Sequence, residues 1–275
     1  MDAPASRGCW GYERWGRGEF ETRPYLAAAR QAADFVLEKL VRKDGRLLHR
    51  YREGEASIVG TVEDYAFFIH GLFDLYEATF ETRYLKEAKR LTEEMVRLFW
   101  DEEKGGFFFT ATDHEKLIVR QKEIYDGAIP SGNSVAGLDL LRLGRLTMEK
   151  DFEKKAETLF ASFSHSIRQN PEAYPQMLAA LDFALGPSRE IVIAGEESER
   201  ETEAFLAAIY SRFIPNKVTA LHPSEKERAA SIEALAPFIK NQLSVNHRST
   251  VYVCENYVCR FPTTELSELE KLIER

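Results

Sequence analysis

Apolar positions recur along this chain at one fixed set of offsets. Tyr25 is followed by Ala29, Val36 and Leu40; Tyr84 by Ala88, Met95 and Phe99; Phe152 by Ala156, Phe163 and Ile167. Offsets of 4, 11 and 15 residues are each close to a whole number of helical turns, so each set lines one helix face. The alanine at the second position lets a neighbouring backbone approach closely. The preceding helices match as well: residues 64–79 and 132–147 align without a gap, pairing Leu72 with Leu140 and Leu75 with Leu143. Thr79 and Thr147 stand five residues before Tyr84 and Phe152, so the intervening turns are of equal length. Short equal turns place consecutive helices antiparallel. The pattern predicts a repeating series of helical hairpins from Pro24 to about Leu185, with a weaker pairing over residues 173–185.

The first two repeat helices are each followed by a glycine-marked turn and a short extended stretch. One is Asp44-Gly45-Arg46-Leu47-Leu48; the other spans residues 101–110 and contains Gly105-Gly106-Phe107-Phe108-Phe109. Aromatic runs favour strand and the glycines mark the turn, which predicts a β-hairpin before each following helix. From Gly186 the pattern changes. Strands are expected at 190–195, 217–221 and 249–254, and helices at 199–212 and 231–240. A last helix begins at Thr264-Glu265, capped by Thr263 or Thr264. Strands alternating with helices imply a small, mostly parallel sheet. Residues 1–23, with Trp10, Tyr12 and Trp15, fit neither pattern and read as an irregular arm. The expected organisation is therefore an arm (1–23), a helical-hairpin domain (24–186) and a small α/β module (187–275), mainly α in class.

Composition narrows the function. The 275 residues are 44% hydrophobic and 30% charged, with a net charge of −8 and no concentrated basic stripe, which argues against a nucleic-acid partner. Apolar runs such as residues 66–69 are too short to cross a bilayer, and Met1-Asp2-Ala3-Pro4 is not the start of a secretory signal. Three cysteines fit reduced thiols in the cytoplasm.

Three motifs are distinctive in combination: Glu63-Asp64-Tyr65-Ala66, Asp126-Gly127-Ala128-Ile129-Pro130-Ser131-Gly132-Asn133-Ser134, and Tyr252-Val253-Cys254-Glu255-Asn256-Tyr257-Val258-Cys259. In this order they resemble the thioredoxin-domain-containing family related to spermatogenesis-associated protein 20, from about Tyr25 onward. The resemblance implies a partial α/α toroid similar to six-hairpin glycosidases and N-acylglucosamine 2-epimerases. It also implies an N-terminal thioredoxin-like domain, for which this chain carries no Cys-x-x-Cys, Cys9 standing alone. About six toroid helices are read here where a complete toroid has twelve, so the chain is expected to be the C-terminal part of such a protein.

In a toroid the cavity lies at the ends of the inner helices. On that reading Asp64 and Asp126 are the acids, because glycoside chemistry needs one carboxyl to protonate the leaving oxygen and a second as base or nucleophile. Tyr65, Ser131 and Asn133 become substrate contacts. A structural role is the alternative for each: Glu63 and Asp64 as first-turn acids, Ser131 or Asn133 as cap, Asp126 as a turn brace. His70, on the helix begun by Asp64, is either a proton carrier or a hydrogen-bonded packing residue. His49, His114, His165, His222 and His247 lack metal-ligand spacing, and Gly195 alone is no dinucleotide fingerprint, so neither metal nor cofactor is expected. Cys254 and Cys259 are either unreactive thiols or a reversible disulfide exchanging with a thioredoxin-like domain. Two functions remain open: a toroid that binds or acts on a sugar-like molecule, and a non-catalytic scaffold or redox-partner module completed by a thioredoxin-like domain, another chain or self-association.

Overall fold

The computed structural model describes residues 23–114 and 118–274. The arm expected over 1–23, with Cys9, falls outside them apart from its last residue. The described chain is mainly α, with nine α-helices, a two-stranded sheet and a four-stranded sheet.

Helix α1 (Arg23–Lys39) leads through an antiparallel hairpin, β1 (Leu48–Arg52) and β2 (Glu55–Val59), into α2 (Val62–Thr79). Then follow α3 (Thr82–Phe99), a long loop, α4 (Gly132–Thr147), α5 (Lys150–Gln169) and α6 (Pro175–Leu185). Helix α3 buries Tyr84, Leu85, Ala88, Leu91, Met95, Leu98 and Phe99 and turns Lys86, Glu93 and Arg97 to solvent. That one-sided pattern makes it an outer helix. Helices α2 and α4 are buried on nearly every side, so they form the inner layer. α2 packs on α3 and α4, and α4 in turn on α5 and α6.

The equal turns of the repeat are equal in detail. Thr79 and Thr147 donate their hydroxyls to the carbonyls four residues back, Leu75 (2.7 Å) and Leu143 (2.8 Å). The next residues, Phe80 and Met148, both adopt the left-handed conformation, with φ of 52° and 60°. The backbone N–H groups of Tyr84 and Phe152 then donate to Glu81 and Glu149 at 3.1 Å each. Left-handed backbone is costly for non-glycine residues, and its recurrence at matched positions marks one turn design used twice.

The second expected β-hairpin does not form. Residues 101–110 make only an isolated bridge, Trp100 with Phe107. The N–H of Phe107 donates to Asn133 Oδ1 (2.7 Å), and Asn133 Nδ2 donates to the Phe107 carbonyl (2.9 Å). A side-chain amide thus takes the place of a partner strand.

From Gly186 the chain builds β3 (Arg189–Ala194), α7 (Arg200–Tyr210), β4 (Lys217–His222), α8 (Lys226–Leu235), β5 (Thr250–Glu255), β6 (Val258–Cys259) and α9 (Leu266–Ile273). The helix expected over 231–240 instead ends at Leu235, and a 3₁₀ turn, Pro237–Asn241, follows. Pro237 has no N–H to continue the ladder. The strand order is β4-β3-β5-β6, with β3–β4 parallel but β3–β5 and β5–β6 antiparallel, so the sheet is mixed rather than mostly parallel. The reason lies in the connection after β4. The Gln242 carbonyl returns to His222 Nδ1 (2.8 Å), so the chain re-enters the sheet at the end it left. β5 must then run the opposite way.

The α/β module sits on the C-terminal ends of the inner helices. Thr219 N–H donates to Glu77 Oε1 (2.8 Å), Arg145 donates to Asn256 (3.0 Å), and the Tyr257 hydroxyl donates to Glu153 (2.8 Å). One continuous buried apolar cluster runs from Leu47 and Tyr65 through Leu140 to Ile193, Phe205 and Val251. Among the described residues no helix is long and apolar enough to cross a membrane.

Candidate functional site

The residues expected to form a sugar site hold the ends of the inner helices. Asp64 accepts from the Thr61 N–H (2.7 Å) and hydroxyl (2.9 Å), closing a capping box at the start of α2. Its other oxygen meets His49 Nδ1 at 2.9 Å. Asp126 is buried, and its two oxygens accept three backbone N–H groups: Ser131 (2.9 Å), Gln176 (2.9 Å) and Met177 (3.0 Å). It braces the turn before α4 and, from 50 residues away, caps α6. Ser131 is the N-cap of α4, accepting from Ser134 N–H at 3.2 Å. Asn133 is buried, and its amide is fully used by Phe107 and by the Glu123 carbonyl (2.8 Å).

Tyr65 is buried as well, and its hydroxyl accepts from the Leu47 N–H at 2.9 Å. Burial pushes its phenol above the ordinary range. Tyr65 and Asn133 occupy the same position of the repeat. Each reaches back to the segment that follows a repeat helix and pins a one-residue bridge there, Val41 with Leu47 and Trp100 with Phe107. Asp64 and Asp126 therefore serve different helices.

A polar cluster does form deeper along the same inner helices. His70 Nδ1 lies 2.7 Å from Asp139 Oδ1, and His70 Nε2 lies 3.7 Å from Asp74 Oδ2. Arg142 Nη2 reaches Asp74 at 2.8 Å and Glu77 at 3.1 Å, with its guanidinium over the Phe73 ring at 4.2 Å. Glu77 is anchored in turn by Thr219 N–H, and its carbonyl accepts from the Tyr210 hydroxyl (3.1 Å). Burial alone would push His70 down, but the charges of Asp74 and Asp139 outweigh it and hold the imidazole above its ordinary value. Asp139 Oδ2 is buried without a hydrogen-bond partner.

His70, Asp74, Glu77 and Arg142 line one wall of a cavity of about 480 Å³, closed on the other side by Gln176, Asp182, Tyr210 and Lys217. Lys217 Nζ lies 5.1 Å from the Tyr210 ring centre and 3.4 Å from the Ile214 carbonyl, and burial pushes its amine down. Phe213, at the mouth, is 91% exposed. The cavity thus joins an imidazole, carboxylates, amide groups and aromatic faces. Asp74, Asp139 and Arg142 were not singled out from the sequence. The available signal was their charge within helices otherwise apolar all round, where a buried charge needs a partner.

A second cleft, of about 490 Å³, opens between α1 and α2. It is apolar, lined by Val36, Leu40, Phe67 and Phe68, with Glu63 and Asp64 at its rim. Burial first, then Asp64 and Glu123, raise the Glu63 carboxyl.

Cys254 and Cys259 face each other across β5 and β6 and are joined by a disulfide.

No protein-family model matches the chain. It is 40% identical over 217 residues to spermatogenesis-associated protein 20 of Rattus norvegicus, covering 78% of this chain and 27% of that protein. The Homo sapiens protein of the same name is 38% identical over 215 residues, with the same coverage. An uncharacterized protein of Caenorhabditis elegans, B0495.5, is 28% identical over 264 residues, covering 93% of this chain and 35% of that one. The chain spans about a quarter of the length of the spermatogenesis-associated relatives it matches. It is a homologue of spermatogenesis-associated protein 20.

Proposed function

We propose that this chain supplies part of an α/α toroid and binds a small, hydroxyl-rich molecule of carbohydrate type in the cavity beside His70. The observation that carries this reading is the cluster of His70, Asp74, Glu77 and Arg142 lining one cavity wall, with buried Asp139 behind His70. A volume of about 480 Å³ falls in the range of small-molecule sites, and such sites combine aromatic walls with a few convergent polar groups. Gln176 and Lys217 supply hydrogen bonds to hydroxyls, Tyr210 and Phe213 supply apolar faces, and His70 is the proton carrier. A catalytic proton carrier needs a tuned proton affinity and a fixed orientation, and Asp139 and Asp74 contribute to both for His70. Asp64, Asp126, Tyr65, Ser131 and Asn133 enter this proposal as residues that hold the helix ends.

Thermal-shift and saturation-transfer NMR measurements against a panel of monosaccharides, amino sugars and sugar phosphates test it. The wild type is expected to be stabilised by at least one class, and Gln176→Leu and Lys217→Met, which leave the buried ion pairs intact, are expected to lose the shift. No response of the wild type to any class refutes the reading.

A second reading, a non-catalytic module, is favoured by the internal use of Asp64, Asp126, Tyr65, Ser131 and Asn133. It predicts no ligand in any arm of the panel.

A further inference from the structure

The β5–β6 hairpin carries a feature that the cavity does not use. Cys254 is fully buried, whereas Cys259 is exposed between Val258 (74% exposed) and Phe261 (95% exposed). Cys259 also opens onto a groove of about 680 Å³, lined by Phe261, Pro262, Glu268 and Leu272. The Cys259 end of the bond therefore lies at the surface and the Cys254 end in the interior. Exchange requires a thiolate to reach a sulfur and displace its partner, so access decides which sulfur is attacked.

A buried amide donor lies within reach of both sulfurs. Gln242 Nε2 lies 3.7 Å from Cys254 Sγ and 3.4 Å from Cys259 Sγ, and Gln242 is itself buried. An amide N–H aimed at a sulfur stabilises it as it gains negative charge, since a hydrogen bond to the charged form favours that form. Among the described residues Gln242 Oε1 has no hydrogen-bond partner, and the two sulfurs are the contacts of its amide nitrogen.

The four residues between the cysteines make the bond consequential. Asn256 and Tyr257 form a left-handed turn, with φ of 52° and 64°. The Tyr257 N–H donates to buried Glu190 (3.0 Å), its hydroxyl donates to Glu153 of α5, and Asn256 accepts from Arg145 of α4. The disulfide closes the base of the turn that ties the sheet to the α4–α5 hairpin.

We propose that Cys254–Cys259 is a thiol–disulfide exchange site for an external dithiol, with Cys259 as the attacked sulfur and Gln242 as a positioning residue whose amide N–H reaches both sulfurs. One thiolate of the dithiol attacks Cys259 Sγ. The Cys254–Cys259 bond breaks, and its electron pair leaves on Cys254 Sγ, which takes up a proton. The second thiol of the dithiol, losing its proton, attacks its own sulfur in the mixed disulfide and releases Cys259 as a thiolate. The dithiol is oxidised to a disulfide, and Cys254 and Cys259 are reduced by the same two electrons. This inference rests on the β5–β6 hairpin alone and stands or falls apart from the sugar reading.

The test uses the full chain with Cys9→Ser, so that only this pair reports. Air-oxidised protein is mapped by mass spectrometry after alkylation, then treated under native conditions with dithiothreitol or with a reduced dithiol protein. The expected result is an intact Cys254–Cys259 bridge that either dithiol opens without denaturant; opening by one dithiol alone identifies which source the site takes. In single-cysteine variants treated with glutathione disulfide, the mixed disulfide is expected at Cys259 in Cys254→Ser at least tenfold faster than at Cys254 in Cys259→Ser. Gln242→Leu is expected to slow opening several-fold, with Gln242→Asn as the milder change. Free thiols in the oxidised protein, opening only in urea, or equal labelling of the two cysteines would overturn the proposal. The wild-type pair alone decides the first two outcomes, whatever the variants do.

Discussion

Asp74 and Arg142 occupy the same position in two successive repeats and face each other at 2.8 Å in the buried inner layer. The repeat that sets the helices side by side also sets opposite charges at one level between them. Taking either charge out of water is costly, and the pair is held by Glu77, His70 and the Phe73 ring as well as by itself.

Removing both partners should therefore cost less than the two single removals added together. Arg142→Met is expected to destabilise the chain by about 3–5 kcal/mol, because Asp74 and Glu77 lose their shared cation. Combining it with Asp74→Leu should cost less than the sum of the single changes, by roughly 1–3 kcal/mol. Urea unfolding midpoints around the double-mutant cycle measure this, and simple additivity would refute the coupling.

Asp126→Ala is expected to cost about 2–3 kcal/mol, through loss of the α6 cap and three orphaned N–H groups. Asp126→Asn keeps one acceptor oxygen and should lose less. Denaturant unfolding ranks the two; equal losses would mean that the charge, rather than the acceptor geometry, matters.

The two bridge-pinning residues should differ in proportion to the bonds they make. Tyr65→Phe removes one acceptor and is expected to cost about 1 kcal/mol, whereas Asn133→Leu strands three backbone partners and should cost about 2–3 kcal/mol. Hydrogen exchange at Leu47 and Phe107 reads each site separately, and each variant should release only its own amide.

His70 gives the chain a pH dependence with a definite sign. Its folded value is raised above the ordinary 6.5, against the pull of burial, by Asp74 and Asp139, with Arg142 opposing them. A raised basic group contributes stability that is full below about 6.5 and is lost as pH rises through the folded value. The stability difference between wild type and His70→Gln should therefore shrink from pH 6 toward pH 9. Urea midpoints across that range check it, and a widening difference would reverse the assignment.

The legible parts of this fold are those where a local pattern has a single outcome. Matched offsets in Tyr25, Tyr84 and Phe152 gave the repeat helices, and equal spacing from Thr79 and Thr147 gave the turns. The second β-hairpin failed because Asn133, 26 residues on, supplies the bonds that a strand would have supplied to Phe107. The sheet is mixed rather than mostly parallel: strand–helix alternation does not say on which side the chain returns, and the contact of Gln242 with His222 decides that. The carboxylates at the helix starts were prominent as motif residues, but their oxygens are consumed by nearby N–H groups.

Helix periodicity, hairpin spacing and the presence of an α/β tail follow from residues near one another in sequence, where backbone geometry leaves few options. The cavity does not. His70, Asp74 and Glu77 come from α2, Arg142 from α4, Gln176 from α6, and Tyr210 and Lys217 from the module. Their meeting depends on how the module seats on the inner helices, which is fixed by long-range packing and by bonds such as Thr219 to Glu77, 142 residues apart. The repeat register sets Asp74 level with Arg142, but the other partners of these buried charges meet only where the packed chain brings them, and no spacing along the chain records that.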